Sequence, residues 1–234
     1  MTDAPEPAPP AGGYDGSMKP SPLREAILSI VVAIATILII AGVSVALFLT
    51  PTWVGFEQGR SGAAAITGFS ATEVDQVTGA VLHDLVIGPP DFAETVRGLA
   101  VFAPRERSHL VDVRTVFGAF GLLVLIGVVV LIVTRFGSHG SRAFRRGVGI
   151  GALVLAAMVV VGGIVSAVAF DQAFETFHQL FFPGGTYTFD PSADRLVQLF
   201  PIQLWEETSL AVGAVILLVC SGVSFWAFHP RSNA

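Results

Sequence analysis

Hydrophobic and polar positions divide this chain into four uncharged runs, Ala26–Phe56, Thr115–Thr134, Gly147–Phe170 and Thr208–Pro230. Each is rich in Val, Ile, Leu, Ala and Gly, and each is apolar all round rather than along one stripe. A helix hydrophobic on every face is buried or immersed in lipid, and about 20 apolar residues cross the hydrocarbon core. Hydrocarbon offers the backbone no hydrogen-bond partners, so such runs must be helical. Four transmembrane helices are predicted, over about 26–50, 112–134, 147–170 and 207–228.

The connections between these spans carry a different pattern. In 51–108, Ser70-x-x-Glu73 is a capping-box signature. Val74, Val77, Val81 and Leu85 then recur at helical spacing until Pro89-Pro90 ends the run. In 171–206, Phe170, Phe174, Phe177 and Phe181 form an aromatic stripe that continues the third span past Asp171, and Pro183-Gly184-Gly185 stops it. A short helix near 191–200 follows, with Leu196, Val197, Leu199 and Phe200 apolar. It reads as an amphipathic segment lying on the membrane surface, with Trp205 at the membrane edge. The fold class is therefore an all-α membrane protein of four spans, with short amphipathic helices in two long connections. Residues 1–24, rich in Pro, Ala and Gly with almost nothing to bury, read as a disordered tail. Residues 25–230 form the membrane domain.

Composition agrees: 53% of the 234 residues are hydrophobic and only 13% charged, unlike a soluble domain. Charge adds orientation. Arg135, Arg142, Arg145 and Arg146 crowd the connection between spans two and three, Lys19 and Arg24 precede span one, and Arg231 follows span four. Acids concentrate in the two long connections. The positive-inside rule then puts both termini in the cytoplasm and both long connections outside. Span one is too long for a removable signal and has no clear cleavage site. A net charge of −5 implies no nucleic-acid surface. The single cysteine, Cys220, excludes an internal disulfide and a thiolate metal cluster.

Candidate chemistry sits where spans two and three meet the outer face. The stretch ERSHLVDV (106–113) delivers Glu106, His109 and Asp112 to the start of span two, with Arg114 on another face of the helix, able to snorkel outward. His109 and Asp112 are three residues apart and share a helix face, so Asp112 can accept an imidazole N–H and select the free ring nitrogen. In DQAFETFHQLFF (171–182), His178 lies at the edge of the Phe stripe, with Asp171 and Glu175 seven and three residues before it. Taken singly, these are also the polar anchors and aromatic belt of an ordinary membrane interface. Two histidines at one leaflet, each with carboxylates at helical spacing, point to a site. His83 falls opposite the apolar stripe of its own helix and reads as solvated. Three other classes fit the pattern: a small transporter, a non-catalytic membrane partner or assembly protein, and a His/Asp metal-dependent hydrolase. The spans lack the midplane polar groups of a transporter, and no closely spaced metal-ligand motif is present.

APRERSHLVDVRTVF and FETFHQLFF…TFDPSADRLVQLFP together resemble the bacterial four-helix membrane family that contains lipoprotein intramolecular transacylase. The stretch GTYTF departs from the Trp-containing segment of that family. The resemblance implies an acyltransferase whose catalytic pair falls on His109 and His178. Its substrates would be diacylated lipoproteins in the membrane, and its site would face outward from the bacterial cytoplasmic (inner) membrane. The reaction moves an acyl chain from the glyceryl group to the α-amine of the N-terminal cysteine, giving a lyso-form lipoprotein. Ester-to-amide transfer is downhill, so no cofactor and no metal is expected. An α-amine with pKa about 7.7–8.0 is largely protonated and needs a base, a role suited to histidine. The sequence leaves the oligomeric state open.

Overall fold

The computed structural model describes residues 21–137, 142–182 and 184–229; of the tail read over 1–24, residues 1–20 lie outside the described residues, as do Pro183 and Arg231, while Ser21 caps the first helix and Pro22–Arg24 begin it. Four helices are long and apolar enough to cross a membrane: α1 (Pro22–Phe48), α5 (Pro104–Gly137), α6 (Arg142–Phe181) and α8 (Ile202–Phe228). Between α1 and α5 come α2 (Pro51–Ser61), α3 (Ala63–Thr67), α4 (Ala71–Val86) and a hairpin, β1 (Thr95–Val96) with β2 (Leu99–Ala100). Between α6 and α8 lies α7 (Arg195–Leu199). Both sets of short elements belong to the same end of the bundle, where they form one cap.

Inside the bundle α6 packs along both α1 and α8, while α5 leans on α1 and touches α6 only sparingly. Glycine permits the close contact of α1 and α6. A β-carbon at Gly147 would stand 2.6 Å from the Ser29 carbonyl oxygen, and one at Gly151 would stand 2.5 Å from that of Ala33. Such small-xxx-small spacing lets membrane helices meet backbone to backbone, and the Ser29 hydroxyl adds a hydrogen bond to the Ala143 carbonyl at 3.0 Å.

The cap has its own apolar core. The predicted stripe of α4 supplies Val74, Val77 and Val81, which meet Phe92, Val96, Phe102 and Leu110, with Leu196 and Leu199 from α7. The Ser70–Glu73 capping box starts α4 as the spacing predicts. Two expectations change here. The segment near 191–200 does not lie on the membrane surface: its helix is shorter, and Leu199 is fully buried in the cap core. The connection also contains strand pairing. Arg97 and Gly98 both adopt positive φ (52° and 78°), the geometry of a two-residue hairpin turn whose twist matches the strands. The Arg97 guanidinium ties the hairpin to Glu73 at 2.6 and 2.8 Å, and this bond, before the other causes, pulls the Glu73 carboxyl down to about 2.

The short helix α7 is satisfied from outside at both ends. Glu106 Oε1 accepts the Leu196 N–H at 2.6 Å, while its Oε2 accepts the Ala103 N–H at 2.6 Å and so closes the first turn of α5. Gln58 Nε2 donates to the Leu199 carbonyl at 2.9 Å, and Thr78 donates to Gln58 Oε1 at 2.9 Å. Glu106 and Gln58 are each 2% exposed. Helix ends leave backbone groups unpaired, and a five-residue helix cannot hold itself together. These buried clamps fix α7, and with it the loop that leads to it from α6.

Candidate active site

At 1.5 Å per residue, α5 is about 51 Å long and α6 about 60 Å, well beyond a hydrocarbon core of about 30 Å. Their surplus lies at the cap end. His109 stands there on α5, six residues ahead of the uncharged run, and His178 stands near the end of α6. The backbone of α6 leaves helical geometry at Ala169 (φ −153°, ψ 50°). Residues 170–181 are thus a separate rod, which carries His178 beneath the cap.

The two imidazoles face each other with ring centroids 6.0 Å apart and planes inclined by 27°. Aromatic rings enclose them. Phe182 lies 4.8 Å and Phe189 5.4 Å from His109. Around His178, Phe174 lies at 4.1 Å, Tyr187 at 5.2 Å, Phe177 at 5.4 Å and Phe182 at 5.6 Å. Phenyl rings make up most of this chamber's wall, and Tyr187 adds a phenol.

The two rings differ in their bonding. His178 Nδ1 is 2.8 Å from the Phe174 carbonyl oxygen. A carbonyl only accepts, so Nδ1 carries the proton, and in the neutral ring the lone pair sits on Nε2. His109 is 6% exposed, and its Nδ1 has no hydrogen-bond partner among the described residues. Burial, reinforced by the neighbouring His178, pushes its imidazole down to about 4 against the opposing pull of Asp112.

The charged residues beside the pair bond elsewhere than to the imidazoles. Asp112 does not hold His109: its Oδ2 accepts the Thr186 hydroxyl at 3.0 Å and reaches the imidazole only through its charge. Glu175 does not hold His178 either; its Oε1 accepts Tyr187 Oη and Gln179 Nε2, each at 2.9 Å. The bond to Glu175 raises the Tyr187 phenol above its ordinary value. Asp171 is exposed, and the Phe174 carbonyl takes the place at His178 that a carboxylate was expected to fill. Arg114 does not reach outward to solvent: its Nη1 donates to the carbonyls of Asp84 and Gly88, the latter at 2.7 Å, and so holds the end of α4. Glu106 is the clamp on α7 described above. His83, with a half-exposed side chain, pairs with Asp84 at 3.0 Å and shares no ring contact with the histidine pair.

Spacing along single helices missed Phe182, Thr186, Tyr187 and Phe189, which arrive from the loop between α6 and α7. Phe182 closes the stretch DQAFETFHQLFF, and TYTF (186–189), four aromatic or hydroxyl residues in a row, holds the other three. Among the described residues no group of three or more His, Cys, Asp or Glu side chains is arranged to hold a metal ion.

A four-span helical bundle carrying two facing histidines under a membrane-edge cap defines a class of integral membrane enzyme, and comparison with known proteins supplies the family. Residues 27–205 match the family model of lipoprotein intramolecular transacylase, Lit. The chain belongs to that family of membrane acyltransferases, which move an acyl group within a lipoprotein molecule. Among solved structures it is similar to the membrane integral lipoprotein intramolecular transacylase Lit from Bacillus cereus. The TM-score is 0.71 at 16% identity, over 88% of this chain and 97% of that one. Two structures of the same Bacillus cereus protein, in which one histidine is replaced by arginine or by alanine, match with TM-scores of 0.67 at 15% identity. No curated protein sequence gives a significant match.

Proposed function

We propose that this protein transfers an acyl chain from the glyceryl ester of a diacylated lipoprotein to the α-amine of its N-terminal cysteine, with His109 and His178 as the catalytic pair. The observation that carries this reading is the pair itself: two imidazoles 6.0 Å apart, enclosed by phenyl rings, with differently committed nitrogens. His178 Nε2 takes the proton from the attacking amine. Nitrogen then bonds to the ester carbonyl carbon, the carbon–oxygen bond to the glyceryl group breaks, and the proton goes to the departing oxygen. A base held near 4 is a poor acceptor for a proton from an amine of pKa about 7.7–8.0, so that step belongs to His178. The unpartnered N–H or lone pair of His109 is reserved for the polar atoms of the reacting ester, in surroundings where a hydrogen bond is stronger than in water.

Donor and acceptor belong to one molecule, so the protein mainly has to fold its substrate back on itself; such positioning supplies roughly 7–11 kcal/mol of barrier reduction. The exposed apolar residues near the cap end of α6, including Val168, Phe177, Leu180 and Phe181, suit acyl chains that approach from the lipid. The basic connection between α5 and α6 favours the cytoplasmic side of a bacterial inner membrane, with both ends of domain 25–230 beside it and the cap outside.

The test is expression in a bacterium that makes diacylated lipoproteins and has no other N-acylating route, followed by mass spectrometry of the N-terminal lipopeptide. The wild type should yield an N-acylated lyso-form. His178→Gln keeps size and hydrogen bonding but removes the proton acceptor, so product should fall about 10²–10⁴-fold. An unchanged diacyl, free-amine terminus with wild-type protein present in the membrane would refute the activity. Near-normal product from His178→Gln would refute the role of that residue.

A further inference from the structure

We propose that Thr186 and Tyr187 form a strap that sets the spacing of the two histidines, acting as positioning residues; this rests on the acyl-transfer reading above. The two catalytic rings sit on helices that touch each other only sparingly, so the spacing of the rings must be set by something else. Consecutive residues of the 182–194 loop supply it. Thr186 Oγ1 donates to Asp112 Oδ2 on α5 at 3.0 Å, and Tyr187 Oη donates to Glu175 Oε1 on α6 at 2.9 Å.

Each anchor is one helical turn from a histidine on the same face: Asp112 three residues after His109, and Glu175 three residues before His178. The strap therefore crosses the gap at the level of the chamber. Tyr187 also lays its ring against His178, and Phe189, two residues on, lays its ring against His109. Gln179 Nε2 donates to the same Glu175 oxygen at 2.9 Å. The far end of the loop is pinned by Arg105 to Asp194 at 2.6 Å, with the same guanidinium 5.0 Å over the Phe189 ring. The strap has fixed supports at both ends and two polar contacts in its middle.

The energetic weight lies in placement. Hydrogen bonds of this kind contribute only modestly to global stability, but an error of about 1 Å in the position of reacting groups can cost about 100-fold in rate. Glu175 and Asp112, expected at first to serve the imidazoles directly, act instead as the two posts of this bridge.

The test uses Thr186→Val with Tyr187→Phe, which keeps volume and aromatic contact while deleting both donors. In a Cys220→Ala background, nitroxide labels at Ser108→Cys on α5 and Gln172→Cys on α6 report the separation of the two helices by pulsed spin resonance. The double variant should lose about 10- to 100-fold in the rate of N-acyl product formation, mainly in kcat with KM little changed. Its distance distribution should broaden, and Thr186→Ser should restore both readouts in the single-site series. A rate within twofold of wild type, or a lost rate with an unchanged distance distribution, would overturn the strap. The spin measurement needs no turnover, so failure of the strap is distinguishable from failure of the acyl-transfer reading.

Discussion

The two ends of this bundle hold together by opposite means. Away from the cap, α1 and α6 meet through absence of side chain: Gly147 and Gly151 bring backbone against backbone, and Arg145 closes the end of α8 by donating to the carbonyls of Trp226, Ala227 and His229. At the cap, polar side chains do the joining: the buried Glu106 and Gln58, the half-buried Arg114 and Asp112–Thr186 bond, and the exposed Tyr187–Glu175 bond. Backbone packing tolerates no added atom and gives no freedom. The hydrogen-bonded contacts join α5 and α6 through the loop between α6 and α7, while the two helices touch each other only sparingly. One end is a rigid root; the other is joined through side chains.

That contrast breaks most severely at Glu106. Glu106→Ala orphans the Leu196 and Ala103 N–H groups together, at about 1–3 kcal/mol for each buried unsatisfied donor. We expect a loss of roughly 2–5 kcal/mol in stability measured in detergent, with activity falling further because α7, to which the loop bearing Thr186, Tyr187 and Phe189 leads, loses one of its clamps. Glu106→Gln retains one acceptor oxygen and should fall between the two. A Glu106→Ala protein as stable as wild type would mean that α7 is held by its apolar contacts alone.

Acid sharpens the same contrast next. His109 is held near 4 by burial, below the ordinary 6.5, so the folded state resists a proton that the unfolded chain accepts. The stability this represents is fully present above about pH 6.5 and is lost as pH falls toward 4, with a slope of up to about 1.4 kcal/mol per pH unit. His109→Gln should lack that acid-induced loss. Subtracting the two pH–stability curves cancels groups common to both, and a difference flat between pH 7 and 4 would show that the ring is not held neutral by the fold.

Much of this was legible in the sequence, and the exceptions share a cause. The four spans announce themselves because hydrocarbon forbids charge, and the two histidines stand out because they interrupt that rule on one side. The hairpin was missed because Arg97-Gly98 is a weaker turn signal than Asn-Gly. The helix α7 was misplaced because Leu196 and Leu199 present the same stripe whether they face lipid or the core of a cap. Asp112 and Glu175 were paired with their neighbouring histidines because helical spacing identifies partners within one helix. Their actual partners come from a loop that no periodicity describes. The break at Ala169 has neither Pro nor Gly at the position itself to mark it.

The smallest effect gives the cleanest test of the rigid root, since one substitution should change sign with location. Replacing glycine by alanine within a helix ordinarily gains roughly 0.5–1 kcal/mol. At Gly151 the new methyl would meet the Ala33 carbonyl oxygen at 2.5 Å and the Ala33 Cα and Thr36 Cβ at 3.0 Å, all on a packed neighbour. Backbone cannot rotate away, so α1 and α6 must separate. Gly151→Ala should therefore cost about 1–3 kcal/mol, the range for overpacking a filled interior. At Gly213 on α8 the nearest atom is Val159 Cγ1 at 3.5 Å, an ordinary van der Waals contact. Gly213→Ala should be neutral or slightly stabilising, and both proteins should keep near-normal catalysis per folded molecule because the neighbours of neither glycine include the histidine pair. Thermal unfolding of the two variants in the same detergent decides it. If Gly151→Ala is as stable as Gly213→Ala, the glycines of α6 are not what brings the helices together.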